Sequence, residues 1–194
     1  MKLYILLAVA AYLVGSIPTG LLLGKAAGID VRASGSGNIG ATNVYRTAGR
    51  KLGIATLAGD CLKGLLPVLL AKQLGLPVAA VAIVGLCAFI GHVYTIFLGF
   101  KGGKGVATAL GVFLGISPLS VLGALAVFIV TVAVSRYISL GSILAAAVMP
   151  LIVWLRGSGP EVTGMTLVVA LLVIWKHRTN IARLREGTEN KFKA

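Results

Sequence analysis

Gly115-Ile116-Ser117-Pro118 decides how many times this chain crosses a membrane. The four residues lie inside an apolar run, 106–135, whose 30 residues exceed the roughly 20 that one membrane-crossing helix needs. Pro118 opens a helix readily and continues one badly, because its ring fixes φ and removes the N–H. The run therefore reads as two helices. The other apolar runs are 3–23, 52–71, 77–100, 138–155 and 163–175, so a break at Pro118 gives seven spans. Charge supports that count, since cytoplasmic loops collect Lys and Arg. With seven spans and the N-terminus outside, the loops 24–51, 101–105 and 136–137 and the tail 176–193 share the inner side. They hold 14 of the 18 basic residues, leaving Lys2, Lys72 and Arg156 outside and Lys63 within the second span. An unbroken run would put the basic tail outside. The expected fold is all-α: a polytopic integral membrane protein, one domain over residues 1–194, with seven transmembrane helices, some short, the N-terminus outside and the C-terminus cytoplasmic.

Composition agrees. With 58% hydrophobic residues and a mean hydropathy of +0.99, the 194-residue chain is too apolar for a soluble domain. A net charge of +13 against five acids calls for anionic partners, either phosphate esters or acidic lipid headgroups. The basic residues sit in short loops between apolar runs, which argues against nucleic acid. Cys61 and Cys87 each lie in an apolar run with no metal-ligand spacing and read as packing residues, so no metal is expected. Met1-Lys2-Leu3 with Ala8-Val9-Ala10 has the outline of a signal peptide, but apolar sequence continues to Leu23 and suits a span better.

Three polar blocks fall on the expected inner face. In Phe100-Lys101-Gly102-Gly103-Lys104-Gly105-Val106-Ala107-Thr108, glycines free the backbone to approach an anion and Lys104 adds charge at the mouth of a helix. The alternatives are a phosphate cradle and a basic loop that only fixes orientation. Lys104 is followed by Gly105, which departs from the nucleotide-binding P-loop. In Ser34-Gly35-Ser36-Gly37-Asn38-Ile39-Gly40-Ala41-Thr42-Asn43-Val44-Tyr45-Arg46, the small residues suit a flexible connector. Ser36, Asn38, Thr42, Asn43 and Arg46 instead supply the donors and acceptors that a hydroxylated phosphate ester needs. In the third block Trp175, Lys176 and Arg178 suit interfacial anchoring, while His177 and Asn180, at i and i+3, share a helical face. Ser139 reads as a helix cap and Ser142 as a hydroxyl for an anion site. Asp60 and Lys63 read as a mutually neutralising structural pair inside the second span. His92 fits either a packing hydrogen bond or a ligand contact. Gly20-xxx-Gly24 and Gly111-xxx-Gly115 have the spacing of close helix packing.

Over essentially its full length the chain resembles the bacterial acyl-phosphate-dependent glycerol-3-phosphate acyltransferases. The resemblance rests on 36–46, on 92–108 and on His177-Arg178-Thr179-Asn180 with Gly187-Thr188-Glu189. It implies transfer of a fatty acyl group from acyl phosphate to the 1-hydroxyl of glycerol 3-phosphate, giving 1-acyl-glycerol 3-phosphate and inorganic phosphate. That is the first acylation of bacterial phospholipid synthesis, without a cofactor, at the cytoplasmic side of the inner membrane. It further implies essential roles for Ser36 and Arg46, a glycerol-3-phosphate loop at Gly102, Gly103 and Lys104, important roles for His177 and Asn180, and a structural role for Glu189. Asn38, Thr42, Asn43, Thr108 and Ser142 join the expected substrate contacts. Ser36, Lys104, His177 and Asn180 are the expected catalytic residues, all facing one shared two-phosphate pocket.

The residue inventory fits such chemistry. Phosphate is a stable leaving group, so the task is to bind two phosphates, align a hydroxyl with a carbonyl and stabilise an oxyanion. Few acids lie near the motifs, which favours a phosphate oxygen of the substrate as the proton acceptor, with His177 and Asn180 positioning. The His-x4-Asp dyad of acyl-CoA-dependent enzymes is missing: Phe97 follows His92 at that spacing and Ala182 follows His177. A phosphate-ester transporter would use the same glycines and basic loops, but no internal repeat is evident and the polar blocks gather on one side. The oligomeric state is left open.

Overall fold

A computed structural model of the protein describes residues 2–192. Lys193, counted above with the inner tail, lies outside them. Among the described residues every regular element is helical. The chain forms two compact units that divide between Ile116 and Ser117. The first contains α1 (Lys2–Ser16), α2 (Thr19–Ala26), α3 (Ala41–Ala48), α4 (Arg50–Gln73), α5 (Val78–Val93), a 3-10 turn at Ile96–Leu98 and α6 (Val106–Ile116). The second contains α7 (Pro118–Ser135), α8 (Ile138–Leu155), α9 (Pro160–Lys176) and α10 (Arg178–Arg185).

Five segments are long and apolar enough to cross a membrane: Leu3–Ala26, Arg50–Gln73, Val78–Leu98, Pro118–Ser135 and Ile138–Leu155. The apolar α6 has 11 residues and α9 has 17. The break inside 106–135 falls where Pro118 demands it, with Pro118 opening α7. A second break was not expected. The run 3–23 reads as one span, yet α1 stops at Ser16 and α2 starts at Thr19. Pro18 is the cause, since it has no N–H for the ladder and its ring clashes with the preceding turn. At 1.5 Å per residue, α1 reaches only about 22 Å and α6 about 16 Å, against about 30 Å of hydrocarbon.

A helix that stops short leaves C-terminal carbonyls that lipid cannot satisfy. In the first unit α4 satisfies them at both places. Lys63 Nζ donates to the Ile17 carbonyl just beyond α1 at 2.7 Å, and Lys72 Nζ donates to the Gly115 carbonyl near the end of α6 at 2.9 Å. Small residues let these helices approach. Gly64 packs on Thr108, Gly111 on the Cys61 carbonyl and Gly115 on Val68, joining α4 to α6. Gly15 and Gly91 do the same between α1 and α5, meeting the backbones of Ala88 and Tyr12. In both sets an added methyl would overlap its neighbour, so the expected packing role of Gly111-xxx-Gly115 is what the structure displays. Gly20 and Gly24 pack instead on the Ile39 carbonyl and on Val31, fastening α2 to the loop that follows it.

Candidate functional site

The loop 27–40 and α3 are folded together, which excludes a flexible connector. Val31, Ile39 and Val44 are buried with Leu21 of α2, and Ile29, Ala48, Leu52 and Leu98 pack around them. Asn43, itself buried, organises the polar side of the loop. Its Oδ1 accepts the Ser36 N–H at 2.8 Å, while its Nδ2 donates to the carbonyls of Val31 at 2.8 Å and Ser34 at 3.1 Å. The expectation that Asn43 contacts substrate is therefore replaced: its amide already serves three groups of its own loop. Asn38 is engaged similarly, its Oδ1 accepting the Gly40 N–H at 2.9 Å at the start of α3. Ser36 is exposed between Gly35 and Gly37, both at positive φ, and Arg46 is exposed in the last turn of α3. Thr42 is half-buried in the first turn of that helix.

The glycine loop folds back on the end of α5. Gly102 N–H donates to the Val93 carbonyl at 3.2 Å and Gly103 N–H to the His92 carbonyl at 3.1 Å. These two amides are thus engaged by protein, and the phosphate cradle expected of them has to lie one step further along. The Gly105 carbonyl accepts from Ala109 N–H at 2.7 Å and closes the first turn of α6, whose leading N–H groups lie outside its own ladder. Gly105 has φ +83° and faces the ring of the fully buried Phe89, so no side chain fits there. Lys104 is half-buried at this helix mouth. Thr108 is fully buried against Gly64 of α4, and its Oγ1 has no hydrogen-bond partner among the described residues. It stands inside the helix packing rather than at the open loop.

Beneath the loop, three ionisable groups meet. Lys63 Nζ lies 2.8 Å from Asp60 Oδ1, and His92 Nδ1 lies 3.6 Å from the same oxygen. All three side chains are buried.

In the second unit, the chain turns at Gly187, φ +71°, and brings Glu189 back to α10. Glu189 Oε1 accepts from Ser139 Oγ at 2.8 Å and from Asn180 Nδ2 at 2.7 Å, and Oε2 accepts from Arg183 Nε at 2.6 Å. Burial pushes the Glu189 carboxyl up, but these three hydrogen bonds and the Arg183 charge outweigh it and hold the group below the usual glutamate range. Ser139 is therefore not a cap: Tyr137 occupies the cap position of α8 and Ser139 Oγ reaches the carboxylate. Ser142 Oγ donates to the Ile138 carbonyl at 2.9 Å, so its proton stays within α8. His177 sits at the junction of α9 and α10, buried, with Nδ1 2.8 Å from the Val173 carbonyl. A carbonyl only accepts, so Nδ1 carries a proton. Trp175 is half exposed, with the Arg178 guanidinium 4.4 Å and the Lys176 ammonium 5.7 Å from its ring centre.

A family model described as glycerol-3-phosphate acyltransferase matches residues 5–187. The chain belongs to the glycerol-3-phosphate acyltransferase family. A member from Geobacter sulfurreducens is 72% identical over 190 residues, 98% of each chain. A member from Trichlorobacter lovleyi is 70% identical over 184 residues, 95% of each. Two crystal structures of PlsY, an integral membrane glycerol 3-phosphate acyltransferase, share 42% identity and cover 98% of this chain. The glycerol 3-phosphate form superimposes with a TM-score of 0.94 over 96% of that chain, and the lysophosphatidic acid form with 0.92 over 95%. This member of the family is, like them, an integral membrane protein of apolar helices.

Sequence reasoning missed Arg183, the third partner of Glu189. Its i+3 spacing from Asn180 on α10 is the available signal, because both then face the same returning strand of chain. It grouped His92 with the glycine loop but left packing and ligand contact open, and the folded backbone sets Gly103 against the ring.

Proposed function

We propose that this protein transfers a fatty acyl group from acyl phosphate to the 1-hydroxyl of glycerol 3-phosphate, releasing 1-acyl-glycerol 3-phosphate and inorganic phosphate. In this reading the whole chain acts as one seven-span domain of the bacterial inner membrane, N-terminus outside and C-terminus cytoplasmic, with its chemistry at the cytoplasmic side. The seven are the five long segments with the shorter α6 and α9. The observation that carries the reading is that the chain matches acyltransferases end to end while holding all three polar blocks in order.

Within the first unit, Arg46 and Lys104 supply cationic charge, and the leading amides of α6 supply N–H donors for phosphate. Gly102 and Gly103 act by folding the loop tightly enough to bring Lys104 to the helix mouth. Ser36, held by its N–H on Asn43 Oδ1, presents its hydroxyl from a fixed backbone. Asn38, Thr42 and Asn43 contribute by shaping that loop and α3. Within the second unit, Glu189 fixes the Asn180 amide through Nδ2 and so orients Oδ1 as an acceptor. The Val173 carbonyl likewise fixes the His177 tautomer.

The attacking hydroxyl oxygen bonds to the acyl carbon, the carbon–oxygen bond to phosphate breaks, and the hydroxyl proton passes to a phosphate oxygen of the departing group. His177 and Asn180 align the hydroxyl rather than remove its proton. The purified protein is to be given glycerol 3-phosphate with either acyl phosphate or acyl-CoA, following acylated product and released phosphate. Product with acyl phosphate and none with acyl-CoA is expected, and turnover with acyl-CoA alone refutes the donor assignment. A His177→Gln variant that binds both substrates yet turns over nothing would overturn the positioning role.

A further inference from the structure

Asp60, Lys63 and His92 are 2%, 6% and 3% exposed, and the proposed reaction as written uses none of them. Ionisable groups inside membrane helices are costly, and Asp60 with Lys63 would already be neutral as a pair. His92 is the member whose presence that pairing does not require. Its surroundings state what it does. One edge of the ring, Nδ1, faces Asp60 Oδ1 at 3.6 Å. The opposite edge, Nε2, lies against Gly103 so closely that a methyl on Gly103 would overlap it. The His92 carbonyl also accepts the Gly103 N–H at 3.1 Å, and the next carbonyl, of Val93, accepts the Gly102 N–H. The imidazole is thus held between a buried carboxylate and the backbone that immediately precedes Lys104. Asp60 in turn is fixed by Lys63, whose Nζ is tied to the Ile17 carbonyl.

We propose that Asp60 and His92 are positioning residues for glycerol 3-phosphate binding: the imidazole, oriented by Asp60, is the surface on which Gly103 seats and so fixes the placement of Lys104 at the mouth of α6. Neither side chain touches substrate in this scheme. It rests on the acyltransferase reading above and on Lys104 as a phosphate-binding cation. The ring, and not a left-handed φ, is what a side chain at position 103 would have to displace.

The test is a double-mutant cycle on the full-length protein in detergent, with acyl phosphate saturating and glycerol 3-phosphate varied. His92→Ala removes the seat and Gly103→Ala pushes against it. Each is expected to raise KM for glycerol 3-phosphate by about tenfold while lowering kcat less than threefold, since one misplaced contact is worth about 1.4 kcal/mol per tenfold. The combined variant is expected to stay near tenfold, because the added methyl then occupies the space the ring has left. His92→Asn, whose amide can still face Asp60, serves in the same cycle if His92→Ala does not fold. It is expected to recover much of the KM. Overturning results are a KM within twofold of wild type in His92→Ala, or a combined variant near one hundredfold, which means the two positions act independently. A purely structural role would lower the melting midpoint and the active fraction without changing KM, and that too overturns the proposal. Failure of the acyltransferase reading shows separately, as wild-type protein that makes no acylated product.

Discussion

Replacing Lys63 with methionine should be among the most damaging single changes in the first unit, and its size follows from two contacts. Lys63 Nζ is 2.8 Å from Asp60 Oδ1 and 2.7 Å from the Ile17 carbonyl. Methionine fills the volume of the stem but leaves the Asp60 carboxylate, 2% exposed, without its cation. Breaking a buried pair from one side costs about 3–5 kcal/mol. The Ile17 carbonyl loses less, because it still accepts the Thr19 N–H at 3.0 Å, so about 1 kcal/mol or below is added there. A total near 4 kcal/mol corresponds to a fall of about 8–16 °C in melting midpoint for a chain of this length. Replacing both partners, Asp60→Leu with Lys63→Met, removes the orphaned charge and should recover most of that loss. The assay is thermal unfolding in one detergent at one scan rate, read by intrinsic fluorescence. A Lys63→Met midpoint within 3 °C of wild type, or a double variant that melts below the single one, would refute the reasoning.

Gly105→Ala forces a side chain into φ +83° and into the Phe89 ring, so a loss of about 2–4 kcal/mol is expected, seen as a lower melting midpoint. The Glu189 carboxyl titrates below its ordinary value of about 4.5, so its contribution to stability is complete above that pH and disappears as pH falls through the lower, folded value. Melting curves of wild type and Glu189→Gln should accordingly differ most near neutrality and converge below about pH 4.5. Asn43→Ala removes three hydrogen bonds from the loop that carries Ser36 while leaving the Ser36 side chain intact, so a tenfold or greater loss of acyl transfer is expected. Unchanged kinetics in that variant would refute the role of Asn43 in holding the Ser36 loop.

Much of the helical plan was legible because proline acts locally. Pro118 announced the end of α6 without help from any distant residue. Pro18 obeys the same rule and was overlooked, because the run 3–23 has the length and hydropathy of one ordinary span, and those averages hide a break. The block 34–46 was legible as more than a linker, but not the reason. Val31, Ile39 and Val44 bury against Leu21, a contact between segments that sequence spacing does not relate. The glycine loop was read as backbone freed to approach an anion. What it comes close to, the carbonyls of His92 and Val93, depends on where α5 ends, so the identity of the engaged amides was out of reach. Ser139 shows the same limit at smaller scale. A serine near a helix start suggests a cap, but a carboxylate 50 positions away in sequence takes its hydroxyl instead.

The two lysines of α4 that close off α1 and α6 have a bearing on how this chain can vary. They stand nine positions apart, about 13 Å along the helix axis, and both must reach their carbonyls at once. One inserted residue between them would turn Lys72 by about 100° relative to Lys63 and carry it away from Gly115. Substitutions at the exposed Leu66, Leu69 and Leu70 can be absorbed, but a change in residue count cannot. The segment from 63 to 72 is thus a stretch of fixed length, and insertions or deletions should be tolerated at the turn after Gln73 and in the loop around Gly157 before they are tolerated here.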